Sequence, residues 1–166
     1  MSVTKILAAT TLIALGASAA SAQSSFEEVG MVEGWNVWKD MDNQSCMIER
    51  KDGPNVVQMG LTKDHAIGYL GVFTQNETDI KEGEIQELQI IVGDNYYKGE
   101  SKGMRANVSN GYTGGYFRAE VNSNLATDIA KQYTMTVFPG AEYAFIINLD
   151  GTLKAMEAAR ECNESF

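Results

Sequence analysis

The chain has 166 residues, with 13 Lys and Arg against 22 Asp and Glu, one His, two Cys and a formal net charge of −9. Charge of that sign repels phosphate backbones and anionic lipid head groups, so nucleic-acid binding and docking on acidic membranes are excluded as first readings. A metal centre built from several His and Cys is equally excluded, and no cofactor is expected.

Residues 1–22 read as a secretory signal peptide. Lys5 supplies the positive start, residues 6–17 are apolar or small, and Ala20-Ser21-Ala22 fits the small-x-small cleavage pattern, placing the cut before Gln23. That apolar core is too short to span a bilayer, and no run of about 20 apolar residues follows it, so the mature chain is expected without membrane insertion. The expected location is periplasmic or secreted, a compartment in which disulfides persist. There Cys46 and Cys162 read as one structural disulfide, because the C-x-x-C spacing of a redox-active pair is absent.

Residues 23–34 are polar and acidic and are expected to be a flexible lead-in to a single β-sandwich domain over 35–166. Trp35–Lys39 and Ser45–Lys51 alternate with period two, as half-buried strands do, across a polar turn at 40–44. Asp52-Gly53-Pro54-Asn55 is a turn, followed by strands at Val56–Thr62 and Ala66–Thr74, a polar loop at 75–84 and a strand at Ile85–Val92. Gly93-Asp94-Asn95 fits a hairpin loop into Tyr96-Tyr97-Lys98. Gly103–Ser109, the Asn110-Gly111 turn and Tyr112–Val121 predict a further hairpin, with a bulge at Gly114-Gly115.

Ser123 is placed to cap a helix over Asn124–Lys131 that carries Leu125 and Ile129 on one face. Strands at Tyr133–Phe138 and Tyr143–Leu149 flank Pro139-Gly140. A C-terminal helix over Thr152–Cys162 is expected to bury Leu153, Met156, Ala159 and Cys162. Many short strands with two late helices predict a mainly antiparallel all-β fold, a sandwich or partly closed barrel with both helices packed on it.

Several of these segments carry a resemblance. Gly34-Trp35-Asn36-Val37 opens the first strand, Ser45-Cys46-Met47-Ile48 forms the next, and Phe145–Asp150 leads through Gly151 into a helix ending at Cys162. In this order of elements the chain resembles the invasion-associated locus B family of exported bacterial proteins. Members often carry a Cys soon after the first Trp, where this chain has Trp38. The resemblance implies an all-β periplasmic or surface protein, linked in some pathogens with entry into host cells, and it implies no catalytic residues.

Candidate sites are few. His65 beside Asp64 lacks a nucleophile signature and reads as a surface histidine. Asp40-Met41-Asp42-Asn43 has part of a calcium-loop pattern without the turn Gly or the late Glu. Asp79, Glu82, Glu84 and Glu87 form an acidic run suited to steering a basic partner. Tyr96, Tyr97, Tyr112 and Tyr116, with Phe117, cluster in the central hairpins; alternate members must point to opposite faces, so they read as core and cross-strand pairs first, with an aromatic contact face as the alternative. The expected function is therefore non-enzymatic binding of another protein or an envelope component. An acidic inhibitor of a basic, lysozyme-like secreted hydrolase is the alternative. A hydrolase using a carboxylate pair among Glu84, Glu87 and Asp94 is the third reading.

Overall fold

Residues 25–62, 64–65, 67–105, 112–120 and 123–166 are described by a computed structural model of the chain. The expected signal peptide at 1–22 and the expected Asn110-Gly111 turn lie outside the described residues. Eleven strands and two helices follow in chain order. They are β1 Phe26–Val32, β2 Trp35–Asp40, β3 Ser45–Asp52, β4 Asn55–Leu61, β5 Ile67–Thr74, β6 Ile85–Val92, β7 Asn95–Lys102, β8 Met104–Arg105, β9 Thr113–Glu120, α1 Asn124–Lys131, β10 Thr134–Val137, β11 Phe145–Asn148 and α2 Thr152–Asn163.

The strands form two open antiparallel sheets. One has seven strands in the order β1-β2-β3-β4-β5-β9-β8, the other four in the order β11-β10-β6-β7. Of the two expected architectures the structure takes the sandwich, since neither sheet closes on itself. The hairpin chemistry is local. Gly53-Pro54 joins β3 to β4 with Asp52 opposite Asn55, and Gly93-Asp94 joins β6 to β7 with Val92 opposite Asn95. Both turns use a Gly at positive φ, 55° and 59°, as two-residue hairpin loops require.

Three expectations are corrected. The lead-in at 23–34 contains a strand: β1 pairs with β2 from Phe26 opposite Asp40 to Val32 opposite Trp35, with a register shift between Glu28 and Gly30. Its polar residues are tolerated because β1 is an edge strand, and its backbone groups find partners on β2. At Gly114-Gly115 there is no bulge: β5 and β9 pair without interruption from Ile67 opposite Glu120 to Thr74 opposite Thr113. These glycines permit close approach instead. A Cβ at Gly114 would stand 1.9 Å from the Val72 carbonyl oxygen, and one at Gly115 would stand 2.1 Å from Ser101 Oγ. The third correction concerns α2. Its buried residues are Thr152, Ala155, Ala159 and Cys162, whereas Leu153 is 48 % exposed and Met156 is only partly buried.

The core lies between the two sheets and under the helices. Leu88, Ile90 and Val92 of β6, Met135 and Val137 of β10 and Ile147 of β11 share one buried cluster with Val37, Ile48, Val57 and Val72 of the large sheet. Burying an apolar side chain of this size contributes roughly 1.5–3 kcal/mol, so this set of apolar residues fixes which faces meet.

Candidate functional site

The inner face of the large sheet changes cover along its strands. At one end Val57 of β4 and Val72 of β5 lie in the cluster shared with the small sheet. At the other end Met59 and Leu61 of β4, Leu70 of β5, and Phe117 and Ala119 of β9 face α1 and α2 across a cleft of about 540 Å³. That volume falls within the roughly 300–1,000 Å³ typical of small-molecule sites. The helices contribute Leu125, Ala126, Ile129 and Ala130 from α1, and Leu153, Met156 and Ala159 from α2.

Both helices are held in place from the sequence upward. Ser123 Oγ accepts from Ala126 N and caps α1, as its position predicts, and Leu125 and Ile129 are its buried residues. At its far side Asp128 accepts from Tyr97 Oη and, at 2.7 Å, from Asn95 Nδ2, which ties α1 to β7. The two partners depart from their ordinary acidities. Burial, the hydrogen bond to Asp128 and the charge on Asp128 push the Tyr97 phenol up to about 12. The hydrogen bonds from Tyr97 and then Asn95 hold the Asp128 carboxyl below its usual value.

Clamps at both ends secure α2. At its start the Trp35 indole N–H donates to the Asp150 carbonyl at 3.0 Å, Arg50 donates to the same carbonyl at 2.9 Å, and the Lys154 ammonium meets Glu33 at 2.6 Å. At its end Cys162 is bonded to Cys46 of β3, with Cα atoms 6.0 Å apart, and Cys46 N donates to Asn163 Oδ1 at 2.6 Å. The disulfide inferred from the two cysteines is present, and it forms part of the cleft's frame because Cys46 is itself a lining residue.

The helical wall of the cleft mixes small and large side chains, with Ala126, Ala130 and Ala159 beside Leu125, Ile129, Leu153 and Met156. Leu125, Ile129 and Ala159 are buried in one cluster with Met59, Leu70 and Phe117, whereas Leu153 of α2 is exposed and Met156 is partly buried. Charged side chains in the lining, among the described residues, are Glu120, Lys131 and Arg160. Arg160 and Lys131 form no ion pair among the described residues.

The residues singled out from sequence do not gather at this cleft. Tyr96 is 52 % exposed on the outer side of β7, and Tyr97 points the other way, to α1. Tyr112 is 5 % exposed, with Lys51 over its ring at 5.7 Å. Tyr116 lies on the outer face of the large sheet, edge-on to Tyr69 and Phe73, and donates to Gln58 Oε1 at 3.0 Å. The four tyrosines thus belong to several surfaces.

Three of the four acidic residues have partners. Asp79 accepts from Tyr143 Oη, Glu84 stands 3.7 Å from Lys81, and Glu87 stands 3.1 Å from Lys98 and accepts from Gln89 at 2.6 Å. Glu82 is exposed in the same β5–β6 connection. Glu84 precedes β6 and Asp94 follows it, so a strand of roughly 26 Å separates them, beyond the about 5–9.5 Å of a working carboxylate pair. His65 is exposed and its Nε2 lies 3.2 Å from the Gln44 carbonyl. Asp40 is buried and accepts from Asp42 N, Asn43 N and Asn43 Nδ2, so its carboxylate is occupied in holding the β2–β3 turn.

No family model matches the chain, and no curated protein or solved structure matches it either.

Proposed function

We propose that this chain is a non-enzymatic binding protein of the exported compartment, and that its binding site is the cleft between the large sheet and the two helices. Its ligand is an apolar component of the cell envelope. The observation that carries this reading is a wide, mainly hydrocarbon-lined depression framed by a disulfide and by helix clamps at both ends. Natural interiors close such gaps, because each unfilled apolar surface forfeits dispersion contacts and leaves hydrocarbon in water. A chain that holds one open keeps it for a ligand. The Cys46–Cys162 bond and the signal-like residues 1–22 support the exported location, as does the resemblance to the invasion-associated locus B family.

The test uses a neutral apolar fluorophore, N-phenyl-1-naphthylamine, with the protein from Gln23 to Phe166. Dye emission is expected to rise on binding to the native protein. Substituting Ala126→Trp, which fills the cleft from α1, is expected to abolish the rise while leaving the circular dichroism spectrum unchanged. An equal rise in wild type and filled variant would overturn the assignment of the site.

A further inference from the structure

The charge of the lining runs against the charge of the chain. The protein as a whole carries 22 acidic against 13 basic side chains, yet the charged lining residues are two cations and one anion, Arg160 and Lys131 against Glu120. Neither cation is neutralised by an ion pair among the described residues. Lys131 shares its field with Asp128, one turn earlier on α1, and Arg160 has Glu157 and Glu164 one turn away on either side, without an ion pair to either. Arg160 is exposed on α2, on the same helix as the apolar Leu153, Met156 and Ala159 of the lining. An arginine presents a planar fork of donors that matches a carboxylate in two parallel hydrogen bonds.

Resting on the cleft as the binding site, we infer that its ligand is a single-chain amphiphile with an anionic head, of the free fatty acid kind. The hydrocarbon chain lies between the inner sheet face and the two helices, against Met59, Leu70, Phe117 and Ile129. The carboxylate meets the Arg160 guanidinium at the rim, with Lys131 adding to the positive field. Ser123, Thr127 and Asn163 supply further polar groups in the lining. A neutral hydrocarbon would leave Arg160 unused, and a cationic amphiphile would find only Glu120 among the charged lining residues. A two-tailed phospholipid fits less well, because one cleft of about 540 Å³ is flanked by the disulfide on one side and the sandwich core on the other.

The experiment compares tetradecanoate, tetradecan-1-ol and tetradecyltrimethylammonium, each below its micelle concentration, as competitors of N-phenyl-1-naphthylamine on the protein from Gln23 to Phe166. Tetradecanoate is expected to bind about fivefold more tightly than the alcohol, the size of effect given by an exposed but well-oriented charge pair of about 1 kcal/mol. The advantage should vanish in Arg160→Gln and shrink at high salt, while the alcohol's affinity stays the same in both. From decanoate to tetradecanoate, affinity should rise by up to about fourfold per methylene.

If acid and alcohol bind equally well in wild type and in Arg160→Gln, the head-group inference falls and the cleft reading stands. Tightest binding by the cationic amphiphile overturns the inference in the same way, with Glu120 as its anchor. If none of the three competes and the fluorophore itself does not bind, the cleft reading falls with it. A dimer by sedimentation that no amphiphile dissociates would also overturn both, since a second copy would then be the occupant.

Discussion

The two ends of the large sheet's inner face are covered in different ways by the same chain. Toward one end Val57 and Val72 share a buried cluster with β-branched and long side chains of the small sheet, among them Ile90, Val92, Met135 and Ile147. Toward the other end Met59, Leu70 and Phe117 face two helices that line a cleft with Leu125, Ala126, Ile129 and Ala130 of α1 and Leu153, Met156 and Ala159 of α2. The strands are continuous between the two ends, so the sheet does not decide the outcome. What stands opposite does: a second sheet covers one end, and two separately anchored helices leave a cleft at the other.

The comparison can be broken most strongly at the closed end. Ile90→Ala removes a fully buried side chain and should cost about 2–5 kcal/mol, read by urea unfolding, whereas Leu153→Ala at the cleft mouth should stay within about 0.5 kcal/mol. Equal losses at the two positions would show that both ends are packed alike. Next in size, Cys162→Ser should cost about 2–4 kcal/mol, since the bond joins residues 116 apart in sequence, and it should also weaken fluorophore binding by freeing the end of α2.

The alanines of the two helices give a sharper contrast. Ala155→Leu, on the fully buried side of α2, should destabilise by about 1–3 kcal/mol through overpacking. Ala126→Leu, in the cleft wall, should leave stability unchanged or raised, because space exists for the added carbons. The smallest effect concerns the tie between α1 and β7. The Tyr97 phenol is held up at about 12 in the fold, above its ordinary 10, so the stability it contributes is complete below about pH 10 and is lost as pH rises toward 12. Tyr97→Phe should therefore flatten the alkaline limb of the stability profile above pH 10, measured by thermal unfolding as a function of pH. An unchanged alkaline limb in that variant would show that other tyrosines carry it.

Local signals were read where local forces act alone. The strand Ile85–Val92, the helix Asn124–Lys131 with its Ser123 cap, and the turn at Gly53-Pro54 stand where pattern and turn chemistry put them. The cysteine pairing also follows from counting, since the chain has two cysteines and they are bonded to each other. The α2 face was misjudged for a physical reason. Periodicity offers two adjacent stripes on that helix, and the larger residues, Leu153 and Met156, mark one of them as the core side. In the fold the disulfide and the Asp150 contacts draw the helix onto the sheet along the stripe of Thr152, Ala155 and Cys162, whose small side chains permit the close approach. The larger residues are left at the cleft. Their exposure, rather than any motif, is the mark of the candidate site, and exposure is not written in a sequence. The tyrosines follow the alternation that their spacing predicts, and the switch between sheets separates them further.

Composition, period-two alternation, glycine turns and the two cysteines were enough to set an antiparallel β fold with a stapled C-terminal helix. These properties arise from neighbours in the chain or from the count of residues, and no distant contact is needed to read them. The division into two sheets, the strand status of residues 26–32, the void beneath the helices and the placement of Arg160 among its lining residues were decided by the tertiary structure. Each depends on which side chain stands opposite which across the core. That pairing is fixed by the packing of segments up to 116 residues apart, not by any one of them.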